Sequence, residues 1–303
     1  MIRWDVDPEF LRIGFFSIYW YTVFFTAAFV FGYFIMRKIF KHEGVSVKKL
    51  DHLIWYMALG TFVGARLGHC LFYEPDYFLQ NPLEILLPIA RDDYGIYKFV
   101  GFRGLASHGA GLGILTALYL YSRIEKTPYL WILDRMSIVV ALSGFFIRLG
   151  NLTNSEIFGY PTDLPWGFEF VRAPEWYRAP INQLPCHPTQ IYEALAYLAI
   201  FAWLFTIFFR KNVKKCPGSL LGKFLVSLFT VRFLIEFFKI EQASFERNMT
   251  LNMGQLLSIP FILCGIFLLC KNANKTSKIK TAFEFKKLNK NIDYEQTTVE
   301  KQD

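Results

Sequence analysis

Charged side chains are scarce in this chain. Asp, Glu, Lys and Arg make up 19% of its 303 residues against 53% hydrophobic residues, with 33 Phe, which excludes an ordinary pair of soluble domains. Cysteine is equally sparse. The five are scattered, with Cys70 and Cys264 inside apolar runs, Cys216 and Cys270 at the ends of others, and Cys186 apart from them, so no disulfide framework is expected. There is no Cys-x-x-Cys, no zinc-type spacing and no His-x-x-x-His pair among the five His; no metal and no cofactor are expected. A basic-aromatic nucleic-acid module is missing, so the net charge of +8 points to membrane topology and anionic lipid heads and not to nucleic acid. No small-x-small cleavage site follows the first apolar run, which is read as retained rather than as a signal peptide. No internal repeat is visible.

What the chain has in abundance is long apolar runs. Windows of about 20 residues, the length that crosses about 30 Å of hydrocarbon, lie near 15–35, 53–73, 105–121, 136–151, 190–209, 219–238 and 255–270. These predict an all-α polytopic membrane protein with seven transmembrane helices over residues 1–270, with 152–188 as a small outer head lacking a core of its own. Residues 271–303, rich in Lys and Asn, read as a disordered cytoplasmic tail. Lys and Arg concentrate in cytoplasmic loops. Segments 36–51, 122–135, 208–218 and 271–303 together hold twenty, and the alternate segments 1–14, 75–104, 152–188 and 239–254 hold nine. The N-terminus is therefore expected outside and the C-terminus inside.

Polar groups interrupt these runs at a few places. The run from Met136 to Ile147 continues into Arg148-Leu149-Gly150-Asn151-Leu152-Thr153-Asn154-Ser155-Glu156-Ile157-Phe158-Gly159. A charge in a bilayer costs at least about 2.5 kcal/mol, so Arg148 either anchors a helix end, pairs with a carboxylate, or serves a site. Arg232 and Glu236 stand four apart, the spacing of an ion pair on one helix face. Gly60, Gly64 and Gly68 form a small-residue stripe that reads as helix packing. Residues 160–188 carry Pro161, Pro165, Pro174, Pro180 and Pro185 with Trp166 and Trp176 and little periodicity, and Pro188-Thr189-Gln190 reads as a helix start in which Thr189 and Gln190 satisfy exposed donors. At about 1.5 Å per helical residue, Arg148 and Arg232 each lie roughly 20 Å from the cytoplasmic face, with Arg66 similar. Three arginines at the level of outer-leaflet phosphates suit a phospholipid headgroup, because a guanidinium is always charged and offers paired donors.

The central stretch closely resembles the signature of the bacterial prolipoprotein diacylglyceryl transferase family, Gly-Arg-x-Gly-Asn-Phe/Leu-apolar-Asn-x-Glu-x-x-Gly. It matches at Arg148, Gly150, Asn151, Leu152, Asn154, Glu156 and Gly159 and departs at Ile147 and Thr153. Further likenesses are Trp20-Tyr21, Gly64 to His69, the partial match from Arg103 to Gly111 that keeps Gly104, His108 and Gly109, His187 to Glu193, Arg232 to Lys239, and Met253 to Pro260. Leu228 stands where many members have a tyrosine. The resemblance implies an enzyme of the bacterial inner membrane, multi-pass, with its site toward the outer face. It would move diacylglycerol from phosphatidylglycerol to the lipobox cysteine, next to the signal peptide, of a preprolipoprotein, releasing glycerol phosphate. His108, Arg148 and Arg232 are then the expected catalytic residues, with His108 as base. Tyr21, Arg66, Arg148, Asn151, Asn154, Glu156, Gly159 and Glu236 are expected to bind substrate. A transporter or flippase of an anionic lipid would also collect arginines, and a lipid-binding scaffold is a further alternative.

Overall fold

The computed structural model describes residues 1–14, 16–91, 95–99, 104–174, 184–210, 216–240 and 249–273. Arg103, Trp176, Pro180 and the tail from 274 onward lie outside the described residues. In chain order the elements are β1 (Ile2–Trp4), β2 (Glu9–Ile13), β3 (Phe16–Tyr19), α1 (Trp20–Glu43), α2 (Val47–Phe72), α3 (Pro75–Gln80), α4 (Leu83–Leu86), β4 (Ile89–Arg91), β5 (Tyr97–Phe99), α5 (Ser107–Ile124), α6 (Tyr129–Thr153), β6 (Phe168–Phe170), α7 (Thr189–Arg210), α8 (Ser219–Ile235) with a 3-10 turn Glu236–Phe238, and α9 (Met253–Ala273). Each of the seven apolar windows overlaps a helix. Among the described residues, four helices (α1, α6, α7 and α9) are long and apolar enough to cross a membrane by length and composition. α8 is shorter, at 17 residues.

The chain forms two compact units, one of Met1–Gly32 with Asp134 onward, the other of Tyr33–Leu133. In the second, α2 and α5 meet along interlocking small residues. A Cβ on Gly60 would lie 2.6 Å from Ala117 Cβ, and one on Gly64 would lie 2.7 Å from Gly113 Cα, so the stripe is packing, as the four-residue spacing predicts. Downstream, the apolar patch at 83–87 is a single helical turn, and it leads into a hairpin in which Ile89 pairs with Phe99 and Arg91 with Tyr97.

In the first unit α6 is the organising helix. Its two glycines receive aromatic rings: a Cβ on Gly144 would lie 2.8 Å from the Tyr197 ring of α7, and one on Gly150 would lie 2.8 Å from the Tyr21 ring of α1. At the other end Asp134, fully buried, accepts from the backbone N–H of Gly218 at 2.7 Å and of Leu221 at 2.9 Å, which satisfies free donors at the start of α8. The N-terminal segment is more structured than a plain lead-in. β2 and β3 pair antiparallel, so the first apolar window opens as strand and turns helical only at Trp20. β1 pairs in parallel with β6, Ile2 opposite Phe168 and Trp4 opposite Phe170. The head also has a small core that irregular spacing concealed: Phe158, Phe168, Phe170, Ala173 and Cys186 bury themselves with Leu152 of α6, and Trp4, Ile191 and Ile240 close over them.

Candidate active site

The polar groups of the first unit gather where α6 ends, α7 begins and α8 gives way to its 3-10 turn. Arg148 sits on the last turns of α6, 8% exposed. Its Nε lies 2.8 Å from Glu193 Oε2 as an ion pair out of hydrogen-bond line, and its Nη1 donates to Asn151 Oδ1 at 3.0 Å, which the i, i+3 spacing brings onto the same face. Asn151 Nδ2 in turn donates to Glu156 Oε1 at 2.8 Å, where Asn154 Nδ2 also donates at 3.2 Å. On the other side, Glu193 Oε1 accepts from Tyr197 Oη at 3.1 Å and from Lys239 Nζ at 3.1 Å. Lys239 Nζ also reaches Glu236 Oε2 at 3.1 Å. A continuous chain thus runs from Asn154 through Glu156, Asn151, Arg148, Glu193 and Lys239 to Glu236.

Its electrostatics follow from burial. A buried charge is tolerated only when paired, and here Arg148 and Lys239 balance Glu193 and Glu236. Arg232 is the additional cation. It is half-buried and within electrostatic reach of Glu193 and Tyr197, yet among the described residues no hydrogen bond or ion pair engages it. The expected Arg232–Glu236 pair does not form, because α8 ends at Ile235 and the 3-10 turn that starts at Glu236 brings Lys239, three residues on, to that carboxylate. Gly254, at the start of α9, lets the Glu236 carboxylate come close: a Cβ there would lie 2.6 Å from Oε1. The N-terminus of α9 is closed by a reciprocal pair, Gln255 N to Asn252 Oδ1 at 2.9 Å and Asn252 N to Gln255 Oε1 at 3.1 Å, a capping box.

Of the expected residues, Tyr21, Arg148, Asn151, Asn154, Glu156, Gly159, Arg232 and Glu236 all belong to this unit. Tyr21 lies over Gly150, within electrostatic reach of Glu156 and Arg148. Gly159 is a point of close approach. Its N–H donates to His187 O at 2.9 Å, it bridges to Lys239, and a Cβ would meet His187 Cβ at 2.8 Å and Thr189 Cγ2 at 2.9 Å. The central carboxylate, Glu193, and the cation Lys239 are additions to the expected set. Glu193 had a signal, as the one charge on α7 before Arg210. Thr189 and Gln190 were expected to cap α7, but their side chains reach to the turn after α6 instead. Nearby, Tyr192 Oη accepts from Trp166 Nε1 at 2.9 Å and lies 3.2 Å from His187 Nδ1. Burial holds His187 below the usual imidazole range and pushes the Cys186 thiol up to about 12, so this cysteine stays protonated and is no competing nucleophile.

The remaining expected residues belong to the second unit. His108 stands exposed in the first turn of α5. Arg66 is buried, and carbonyl oxygens take up its guanidinium: those of Glu84, of Ile85 at 3.2 Å and of Gly104 at 3.4 Å, with Phe78 4.8 Å beneath it. That load ties α4 and the start of α5 to α2.

Residues 8–271 match the profile of the family described as prolipoprotein diacylglyceryl transferase. Relatives that carry the name phosphatidylglycerol–prolipoprotein diacylglyceryl transferase include three of high coverage. The one from Chloroherpeton thalassium is 43% identical over 282 residues, covering 93% of this chain and 98% of the relative. That from Porphyromonas gingivalis is 44% identical, covering 89% and 94%. That from Tolumonas auensis is 42% identical, covering 92% and 100%. With an almost full-length profile match and relatives of this identity, the chain belongs to the prolipoprotein diacylglyceryl transferase family.

Proposed function

We propose that this chain transfers the diacylglyceryl group of phosphatidylglycerol to the lipobox cysteine of preprolipoproteins, and that the first unit's network presents Arg232 to the lipid phosphate. The observation that carries this is the contrast between cations: Arg148 and Lys239 are neutralised by Glu193 and Glu236, while among the described residues no carboxylate pairs with Arg232, whose planar fork is assigned to the lipid phosphate. In the reaction the thiolate sulfur forms a C–S bond at the primary glyceryl carbon. The C–O bond to phosphate breaks, and its electron pair leaves with glycerol phosphate. A free thiol, with a pKa of about 8.5, is only a few per cent ionised near neutrality, so a proton acceptor helps, and His108, exposed at its helix start, is given that role. Charge dispersed over the departing phosphate calls for fixed cationic donors. Arg148 provides one edge of the phosphate clamp, held in place by Glu193 and Asn151. Glu156 orients Asn151 and Asn154, Glu236 holds Lys239, and Tyr21 packs beside them. Asn154, through Glu156, and Gly159, beside Lys239, complete the set assigned to substrate binding. In the second unit, Arg66 serves the lipid through the segment it fixes. The transporter reading is left without support, since the relatives reported above carry the transferase name.

The direct test uses purified protein in detergent micelles with a lipobox peptide, scoring thioether product by mass. Product is expected with phosphatidylglycerol, and none with phosphatidylethanolamine, whose headgroup carries no net negative charge. Equal turnover on the two lipids overturns the phosphate assignment, and no product with either overturns the reaction.

The topology belongs to the same proposal: seven spans in the bacterial inner membrane, N-terminus outside, site toward the outer face. Asp163 and Lys48 are both exposed. In a background without native cysteines, Asp163→Cys is expected to react with an impermeant thiol reagent in spheroplasts and Lys48→Cys is not. The opposite labelling inverts the orientation.

A further inference from the structure

Helix α6, which carries Arg148 and Asn151, ends in an uncommon turn. Ser155 N donates to Leu152 O at 3.0 Å and Glu156 N to Asn151 O at 3.1 Å, the two bonds of a Schellman motif. The residue that donates the first of these bonds adopts the left-handed conformation and is usually Gly; here it is Ser155, with φ 52, fully buried, its hydroxyl without a partner. Two residues on, Ile157 has φ 60, a backbone region in which a β-branched residue is a genuine outlier. Glu156 lies between the two, so the aim of its carboxylate depends on both. Such conformations persist only where surrounding contacts enforce them.

The enforcing contacts come from the first turn of α7. Gln190 Nε2 donates to Glu156 O at 2.7 Å and Thr189 Oγ1 donates to Ile157 O at 2.8 Å. Both residues are fully buried. Gln190 Oε1 has no partner, so this amide is kept for its donor although its acceptor is left unsatisfied, an arrangement a plain packing position would replace with an apolar side chain.

We infer that Thr189 and Gln190 are positioning residues for the transfer reaction. They hold the turn 155–157 left-handed and so aim Glu156 Oε1 at the amide groups of Asn151 and Asn154; Asn151, thus turned, presents its oxygen to Arg148. This inference rests on the proposal that Arg148 and Glu156 belong to the site.

The test is Ile157→Gly in the full-length protein, assayed for thioether formation with phosphatidylglycerol and lipobox peptide. Glycine accepts φ 60 without steric cost but no longer confines the turn, so the melting temperature is expected to stay within about 2 °C. Turnover is expected to fall on the order of tenfold or more through misplacement of Glu156, with KM for the peptide unchanged. Thr189→Val, which keeps the shape and loses the donor, is expected to fall likewise, whereas Thr189→Ser retains turnover. The inference is overturned by wild-type turnover in Ile157→Gly and Thr189→Val, or by losses that track a falling melting temperature. Glu156→Ala separates the two levels. If it is impaired while Ile157→Gly and Thr189→Val are not, only the positioning role fails; if it is fully active, the site assignment fails with it.

Discussion

Arg232→Gln is expected to lower turnover by on the order of 10²-fold or more, the effect of losing one fixed donor to developing charge, while leaving the melting temperature nearly unchanged. The separation of the two effects comes from the geometry. No carboxylate pairs with Arg232 among the described residues, and Glu193 and Glu236 keep their cations Arg148 and Lys239, so the substitution strands no buried charge. Arg232→Lys keeps the charge and loses the planar fork, and is expected to recover only part of the loss. Turnover and thermal unfolding measured on the same detergent-purified samples decide it. A melting temperature that collapses with Arg232→Gln would show that the guanidinium is structural, and full turnover would remove it from the phosphate site.

Much of this site is legible in the sequence because it interrupts apolar helices. Arg148 and Asn151 stand out of a greasy run at helical spacing, and Glu156 follows within the same turn and a half. What is not legible depends on where a helix stops. The four-residue spacing of Arg232 and Glu236 implies an ion pair, but α8 ends between them, and the carboxylate goes to Lys239, which sequence spacing alone marks as an ordinary residue after a span. Arg66 illustrates a different limit. Its motif points to a site, yet main-chain carbonyls of Glu84, Ile85 and Gly104 are among its partners, and these carry no side-chain signal. The three-residue strands of the head are too short for alternation to register. Positive φ at Ser155 and Ile157 is likewise invisible, because neither residue type prefers it.

Arg148 is predicted to behave differently from Arg232, and Arg148→Lys exposes the difference. The guanidinium does two things at once, facing Glu193 through Nε and donating to Asn151 Oδ1 through Nη1. A lysine ammonium retains the charge opposite Glu193 but, as a point charge on a flexible stem, does not hold the planar two-sided arrangement. Folding should therefore survive with a modest loss, and turnover should fall on the order of 10²-fold, because Asn151 and the phosphate edge lose their alignment. Glu193→Gln tests the same junction from the other side. It leaves Arg148 and Lys239 to share the single carboxylate of Glu236, and breaking a buried pair in this way costs about 3–5 kcal/mol, so a marked drop in melting temperature should accompany its loss of activity. Lys223→Ala, toward the opposite end of α8 from Arg232, is the control expected to keep turnover. If Arg148→Lys retains turnover at equal folded protein, its guanidinium serves only to neutralise Glu193, and the phosphate contact passes to Arg232 alone. If Arg148→Lys and Glu193→Gln lose activity and stability in the same proportion, the junction is structural and the catalytic alignment lies elsewhere.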